Sequence, residues 1–387
     1  MSRVLSLILL LLSSFAVPLI HAAADSIDGT YAFQSSFQQP RYAGMGGAGC
    51  ALLDGSTAAY INPALPNAFH IYSSTPHFSA AAGYGRDSLN RHCSPFGLCY
   101  FLGPYGSLGV LYRYVKSSDQ RYEHEGTLNY SGRLFDQNMN QGAVDFGINL
   151  RLEHMWWQDS LSAARYFFPH WQVGADTLIA YDTLTVLPPT DIVRTREDRF
   201  ALDLGFFQKN VAERVDFGLV CHNLLGYQWA TSFPGTRLVP APQDSIDERH
   251  ILTRDSLVFA DSAKNKGWQP APYRRITVGM AFHTPIWSDK ASLVMPADVT
   301  FIGLFERSMK TRLTFSVGAE VNFADFCYLR AGYASMPMRV SLNDFLKQGG
   351  KINTNILRGG GGFRNSFMAV DVYFGKDEWG MGLGVML

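Results

Sequence analysis

One pattern constrains this chain more than any other: long runs in which apolar and polar residues alternate. In QGAVDFGINLRLEH (141–154), Val144, Phe146, Ile148, Leu150 and Leu152 share one face; Asp145, Gly147, Asn149, Arg151 and Glu153 share the other. Strand side chains alternate with period two, so this run is a strand with one greasy and one polar face. In DRFALDLGFFQ, Phe200, Leu202, Leu204 and Phe206 oppose Arg199, Ala201, Asp203 and Gly205. In KTRLTFSVGAEVN, Leu313, Phe315, Val317, Ala319 and Val321 oppose Arg312, Thr314, Ser316, Gly318, Glu320 and Asn322. The last run sets Trp379, Met381, Leu383, Val385 and Leu387 against Gly380, Gly382 and Gly384. Weaker candidates lie near 76–84, 96–103, 106–116, 125–134, 170–184, 213–224, 274–283, 291–303, 326–335, 355–363 and 366–374. That makes about fifteen, of which one or two are expected to be spurious.

Length then separates the classes. Ordinary strands average about 5–6 residues, whereas a tilted strand crossing a bilayer needs about 9–11. The clear runs here reach ten or more. Only a closed barrel can cross lipid as β-structure, because an open edge would leave amides unpaired in hydrocarbon. The apolar face then points outward. A one-residue slip of 144–152 would turn Asp145, Arg151 and Glu153 into lipid, at up to ~2–4 kcal/mol for a basic residue near the midplane. The alternative is a secreted soluble sandwich or propeller with the apolar face inward. Aromatics near strand ends, Tyr112, Tyr114, Trp156, Trp157, Tyr328, Tyr333 and Tyr373, favour the barrel, whose interfaces collect Trp and Tyr.

The first residues, MSRVLSLILLLLSSFAVPLIHAAADS, place Arg3 before an apolar run and Ala22-Ala23-Ala24 after it. This reads as a secretory signal peptide over 1–24, against a retained anchor, for which Pro18 and the short core are unsuited. Lys plus Arg (33) equals Asp plus Glu (33), so nucleic acid, which needs clustered positive charge, is not expected as a partner. Five cysteines match no zinc spacing. Cys93 and Cys99 flank a turn-like SPFGL and could pair in an oxidising compartment.

GMGGAG, Gly44 to Gly49, fits the dinucleotide pattern G-x-G-x-x-G. That site requires a buried strand before the glycines, a helix after them and an acid about 20 residues on. The lead-in FQSSFQQPRYA is polar, CALL lasts one turn before Asp54, and the next acid is Asp87. No cofactor is expected. Glycine also permits positive φ and close approach of another wall. Gly44 to Ala48 with Asn62-Pro63-Ala64 suits a compact plug inside a cavity, Pro63 fixing φ and Asn62 bonding nearby backbone.

These residues carry a resemblance. RYAGMGGAGCALLDGSTAAYINPALPNA, Arg41 to Ala68, resembles the N-terminal hatch of FadL-like outer-membrane proteins, in which a glycine- and alanine-rich stretch leads through an acid to Asn-Pro-Ala. The matching positions are Gly44, Gly46, Gly47, Asp54, Asn62, Pro63 and Ala64. The glycine-rich form also resembles the PorV-like branch and the UPF0164 group, and VGAEVNFADFCYLRAGY, Val317 to Tyr333, looks like the paired late strands of that group. The chain departs from many such barrels in ending Met386-Leu387 rather than on an aromatic residue. The resemblance implies an all-β transmembrane antiparallel barrel of about fourteen strands in the outer membrane of a Gram-negative-type bacterium. It divides the chain into a signal peptide (1–24), a hatch inside the lumen (25–72) and a barrel (73–387) with a long outer loop near 225–272.

No G-x-S-x-G or H-E-x-x-H occurs, and Glu123-His124-Glu125, Glu153-His154 and Glu248-Arg249-His250 suit solvated loops or strand ends, so an enzyme is not expected. Two functions follow from the resemblance. One is passive uptake of hydrophobic molecules such as long-chain fatty acids, with outer-membrane lipid and a hydrophobic small molecule as partners. Arg41 and Arg151 are its candidate anchors for a carboxylate head. The other is a structural role beside the proteins of a type IX secretion apparatus.

Overall fold

A computed structural model describes residues 39–73, 77–86, 91–116, 122–135, 143–160, 166–173, 178–185, 192–233, 251–252, 269–270, 274–287, 290–302, 312–324, 326–335, 355–376 and 378–387. The signal peptide, residues 25–38, the Glu248-Arg249-His250 cluster and most of the 225–272 loop lie outside them. In chain order the strands are β1 (Phe78–Arg86), β2 (His92–Phe101), β3 (Ser107–Lys116), β4 (Tyr122–Phe135), β5 (Val144–Ser160), β6 (Tyr166–Val173), β7 (Leu178–Thr185), β8 (Ile192–Ala212) and β9 (Val215–Phe233). They continue with β10 (Ile251–Leu252), β11 (Gln269–Pro270), β12 (Arg275–Ile286), β13 (Ala291–Ile302), β14 (Arg312–Phe323), β15 (Cys327–Ser335), β16 (Asn355–Arg364), β17 (Met368–Gly375) and β18 (Glu378–Met386).

Fourteen of these close into one antiparallel barrel. Each pairs with its neighbour in the chain, β5 passes to β8 and β9 to β12, and β18 returns to β1. The seam runs from Ser79↔Met386 to Arg86↔Trp379. Phe78 and Leu387 exchange backbone hydrogen bonds of 2.9 Å in both directions. Closure leaves no free edge, which lipid demands. The Phe78–Leu387 end of this seam lies beside the short turns, such as Gly103–Tyr105 between β2 and β3 and the tight β8–β9 turn around Arg214. The long connections all lie at the other end. Of the fifteen sequence candidates, 170–184 is the one outside the ring: it spans parts of β6 and β7, which with β10 form a separate three-stranded sheet.

The alternation does what its period dictates. On β5, Asp145, Asn149 and Arg151 are buried inside while Leu150 and Leu152 are 43% and 64% exposed outside. On β14, Glu320 and Asn322 face in, and Leu313, Phe315 and Val317 face out. The soluble alternative, with its apolar face inward, is therefore excluded.

Parity corrects three readings. SPFGL is not a turn but the middle of β2. Cys93 and Cys99 sit six residues apart on its inner face, about 20 Å by strand rise, and all five cysteines are free. Tyr328 and Tyr373 are buried in the lumen rather than at an interface, while Tyr112, Tyr114 and Trp156 lie on the outer face near the long loops. Glu123, Glu125 and Glu153 point into the lumen, whereas His124 and His154 lie on the outer face, so these neighbours in sequence are not acid–histidine pairs.

The wall is not uniform. Pairing of β1 with β2 lapses between Ala82↔Phe96 and Gly85↔Cys93, beside Pro95, which has no N–H to donate. It lapses likewise between β13 and β14 at Pro296. Between β8 and β9 the register shifts around Asp203, where Asn223 takes φ 56° and donates its N–H to Asp203 Oδ1 at 2.8 Å.

Candidate functional site: the hatch and the polar lumen

Residues 39–73 occupy the lumen. A short helix α1 (Pro40–Gly44) leads into the glycine turn, and a 3-10 turn (Ser56–Tyr60) leads through Asn62-Pro63-Ala64 into helix α2 (Leu65–Ser73). Tyr42, Met45, Leu52, Ile61 and Leu65 form an apolar centre that reaches Phe207 and Val294 of the wall.

Two of the three motif glycines have a backbone reason. Gly46 and Gly47 take φ of 71° and 86°, and a Cβ on Gly46 would lie 2.6 Å from the Tyr333 carbonyl oxygen. Gly44 has only ordinary contacts at its Cβ position. The wall answers with glycines of its own. A Cβ on Gly147 would stand 2.0 Å from Pro63 O, and one on Gly218 2.1 Å from Cys50 O. Hatch backbone thus lies directly on wall backbone.

An irregular segment inside a barrel must find partners for its N–H and C=O groups, and the polar inner face supplies them. Asn129 Nδ2 donates to Pro63 O at 3.0 Å and Asn149 Nδ2 to Ala59 O at 2.8 Å. The Gly49 and Cys50 amides donate to Asp298 Oδ2 at 2.7 and 2.9 Å. Asn67 is held by Ser131 and Asp145. Asn62 works from the hatch side. Its Nδ2 donates to Cys50 O (2.8 Å) and to Phe206 O (3.0 Å), and its Oδ1 accepts from the Ala64 N–H (3.0 Å).

Arg41 and Asp54 belong to a chain of buried ion pairs between hatch and wall. Arg41 grips Glu320 through two nitrogens, at 3.0 and 2.7 Å, and reaches Asp54 at 3.5 Å. Arg364 approaches Asp54 at 3.1 Å, and Arg330 joins Glu320 to Asp371. Burial alone would raise the Asp54 carboxyl, but Arg364 and Arg41 outweigh it and hold it below the usual aspartate range. Burial pushes the Cys50 thiol well above its ordinary value, which makes it a packing residue, not a nucleophile.

Arg151 lies one layer further toward the long loops. It reaches Glu153 at 3.2 Å and Asp203 at 3.4 Å, and it also bonds Asn223. Arg113 pairs with Glu125 and passes 6.0 Å from the Tyr60 ring centre. Arg275, register partner of His222, completes this layer with no ion pair among the described residues. Arg41 and Arg151 are therefore both committed to carboxylates and in different layers. Glu320, Asp298, Asn129 and Arg275 were not singled out from the sequence. The available signal was their polar character at inward parity, which marks a lumen but not what it touches.

Between the hatch and β1, β17 and β18 lies a cavity of about 30 Å³, lined by Ser56, Phe69, Ala81, Ala369, Gly382 and Met386 among others. The Ser56 and Ser79 hydroxyls at this cavity have no partner among the described residues. It adjoins the part of β1 where pairing to β2 lapses.

A closed antiparallel ring that is apolar outside, polar inside and filled by its own leading segment defines an integral outer-membrane β-barrel with an internal hatch. Solved structures of similar shape include the CymD monoaromatic hydrocarbon channel (TM-score 0.49, 12% identity, covering 92% of this chain and 97% of that one). The TodX monoaromatic hydrocarbon channel deltaS2 mutant is another (TM-score 0.45, 10% identity, 92% and 97%). A Pseudomonas aeruginosa FadL homologue is a third (TM-score 0.49, 10% identity, 90% and 97%). Likenesses this distant speak to neither cargo nor mechanism, and the barrel stands on its own strand pairing. No protein-family model matches the chain, and no curated protein does.

Proposed function

We propose that the protein is a passive channel for hydrophobic molecules, long-chain fatty acids among them, across the outer membrane. The observation that carries this reading is the lapse of pairing beside Pro95, next to a cavity lined largely by small and apolar side chains between hatch and wall. A molecule entering from the long-loop end meets the charged layer first. Arg151, and Arg275, which has no ion pair among the described residues, would receive an anionic head there, and the apolar tail would pass the hatch toward β1. Arg41, Asp54 and Asn62-Pro63-Ala64 would hold the hatch in place while this happens.

The test is uptake of a radiolabelled long-chain fatty acid, and of a neutral aromatic hydrocarbon, by cells with and without the protein. Expression should raise uptake severalfold, and Ala81→Leu, which fills the cavity, should lower it. Unchanged uptake by cells whose outer membrane holds the folded barrel would refute the proposal. Co-purification with a larger translocon in that case would favour the secretion-partner role.

A further inference from the structure

The outer face of the barrel carries a second built feature, unconnected with the lumen. On β2, β3, β4 and β5 the exterior runs from Phe96, Val110, Leu128 and Leu152, toward the long loops, to His92, Lys116, His124 and His154. Each histidine is pinned at Nδ1 by a neighbouring strand. The Tyr84 hydroxyl holds His92 at 2.6 Å, the Tyr112 hydroxyl holds His124 at 2.7 Å, and the Asp198 carboxylate holds His154 at 2.6 Å. With these phenols as donors, Nδ1 of His92 and of His124 is the acceptor and the ring proton sits on Nε2. Those Nε2–H groups have no partner among the described residues.

The surroundings hold the patch in place. Tyr114 lies 5.1 Å from His124, Tyr122 lies 5.5 Å from Trp156, and the Lys116 ammonium stands 5.7 Å from the Tyr122 ring centre. Such a cluster of Tyr and Trp beyond an apolar band marks the level of lipid headgroups. Arg86, exposed at the end of β1, is the register partner of His92 and adds a second fixed cation. Asp198, on the neighbouring β8, is engaged with His154.

We propose that this patch docks the phosphate groups of outer-leaflet lipid. Outward N–H donors and two cations, at headgroup depth and with no acceptor among the described residues, match phosphate oxygens. The four strands span about 14 Å at the usual inter-strand spacing, enough for more than one phosphate. The proposal rests on the barrel's exterior alone and stands or falls apart from the cargo.

The experiment titrates the full-length protein, in non-ionic detergent, with diphosphoryl lipid A and with the same lipid stripped of its phosphates, and reads bound lipid by native mass spectrometry. The phosphorylated lipid should bind at least about tenfold more tightly, the equivalent of one charge-assisted hydrogen bond. A His92→Leu, His124→Leu, Lys116→Leu variant, with leucines suited to a lipid-facing wall, should lose that preference. Equal affinity for the two lipids, or a preference retained by the variant, overturns the proposal. The barrel's heat-dependent gel migration checks that the variant folds. If it does not, Lys116→Leu alone and the wild-type comparison of the two lipids still decide.

Discussion

Asn62 shows how much one side chain can carry in this protein. Its amide joins two stretches of the hatch to each other and to β8, three bonds from a fully buried group. Asn62→Ala would leave the Cys50 and Phe206 carbonyls and the Ala64 amide without these partners. Each such loss costs about 1–3 kcal/mol where water cannot substitute. The expected result is faster hydrogen exchange over residues 48–66 with little change in barrel melting. Unchanged exchange would mean that the packing of Met45, Leu52 and Leu65 holds the hatch without it. The Asn-Pro-Ala turn was legible in the sequence because its chemistry is local. Asp298 was not, since its partners Gly49 and Cys50 come from the far end of the chain.

At the level of the strand, inward glycines decide where the hatch can lie. Pro63 O sits where a Cβ on Gly147 would be, so Gly147→Val should push the turn off β5. The pairing of β5 to β4 and β8 does not use that side chain, so the barrel should persist. Limited proteolysis should then cut within 39–73 while the heat-shifted barrel band remains. Resistance equal to wild type would show that the hatch can re-seat. Strand existence was readable for β5, β8 and β14 because apolar residues recur at every second position over 144–152, 200–206 and 313–321. It was misread at β2, where Pro95 and Gly97 imitate a turn, and at 170–184, where a hairpin of the outer connections shows the same period as the wall.

A ring of fourteen strands is too wide for its own side chains to fill, unlike one of about eight. Something must occupy the lumen, and the polar inner face bonds the hatch through Asn129, Asn149, Asp298 and Glu320. Deleting residues 39–73 should leave the strand pairing intact and expose Glu320, Asp298 and Asn149 to a hydrated interior. In planar bilayers the truncated protein should conduct severalfold more than the full chain. Equal conductance would show that the outer connections, not the hatch, close the pore.

What the sequence determined by itself was the period, and with it the parity of each regular strand, the apolar outside and the closed barrel that lipid requires of such strands. Those are local properties: a side chain's face follows from its place in its own strand. Which inner residue meets which part of the hatch was decided only by the tertiary structure. Arg41 and Glu320 lie 279 positions apart and form one bidentate pair. Their meeting depends on the register accumulated around the whole ring, and no local pattern records that sum.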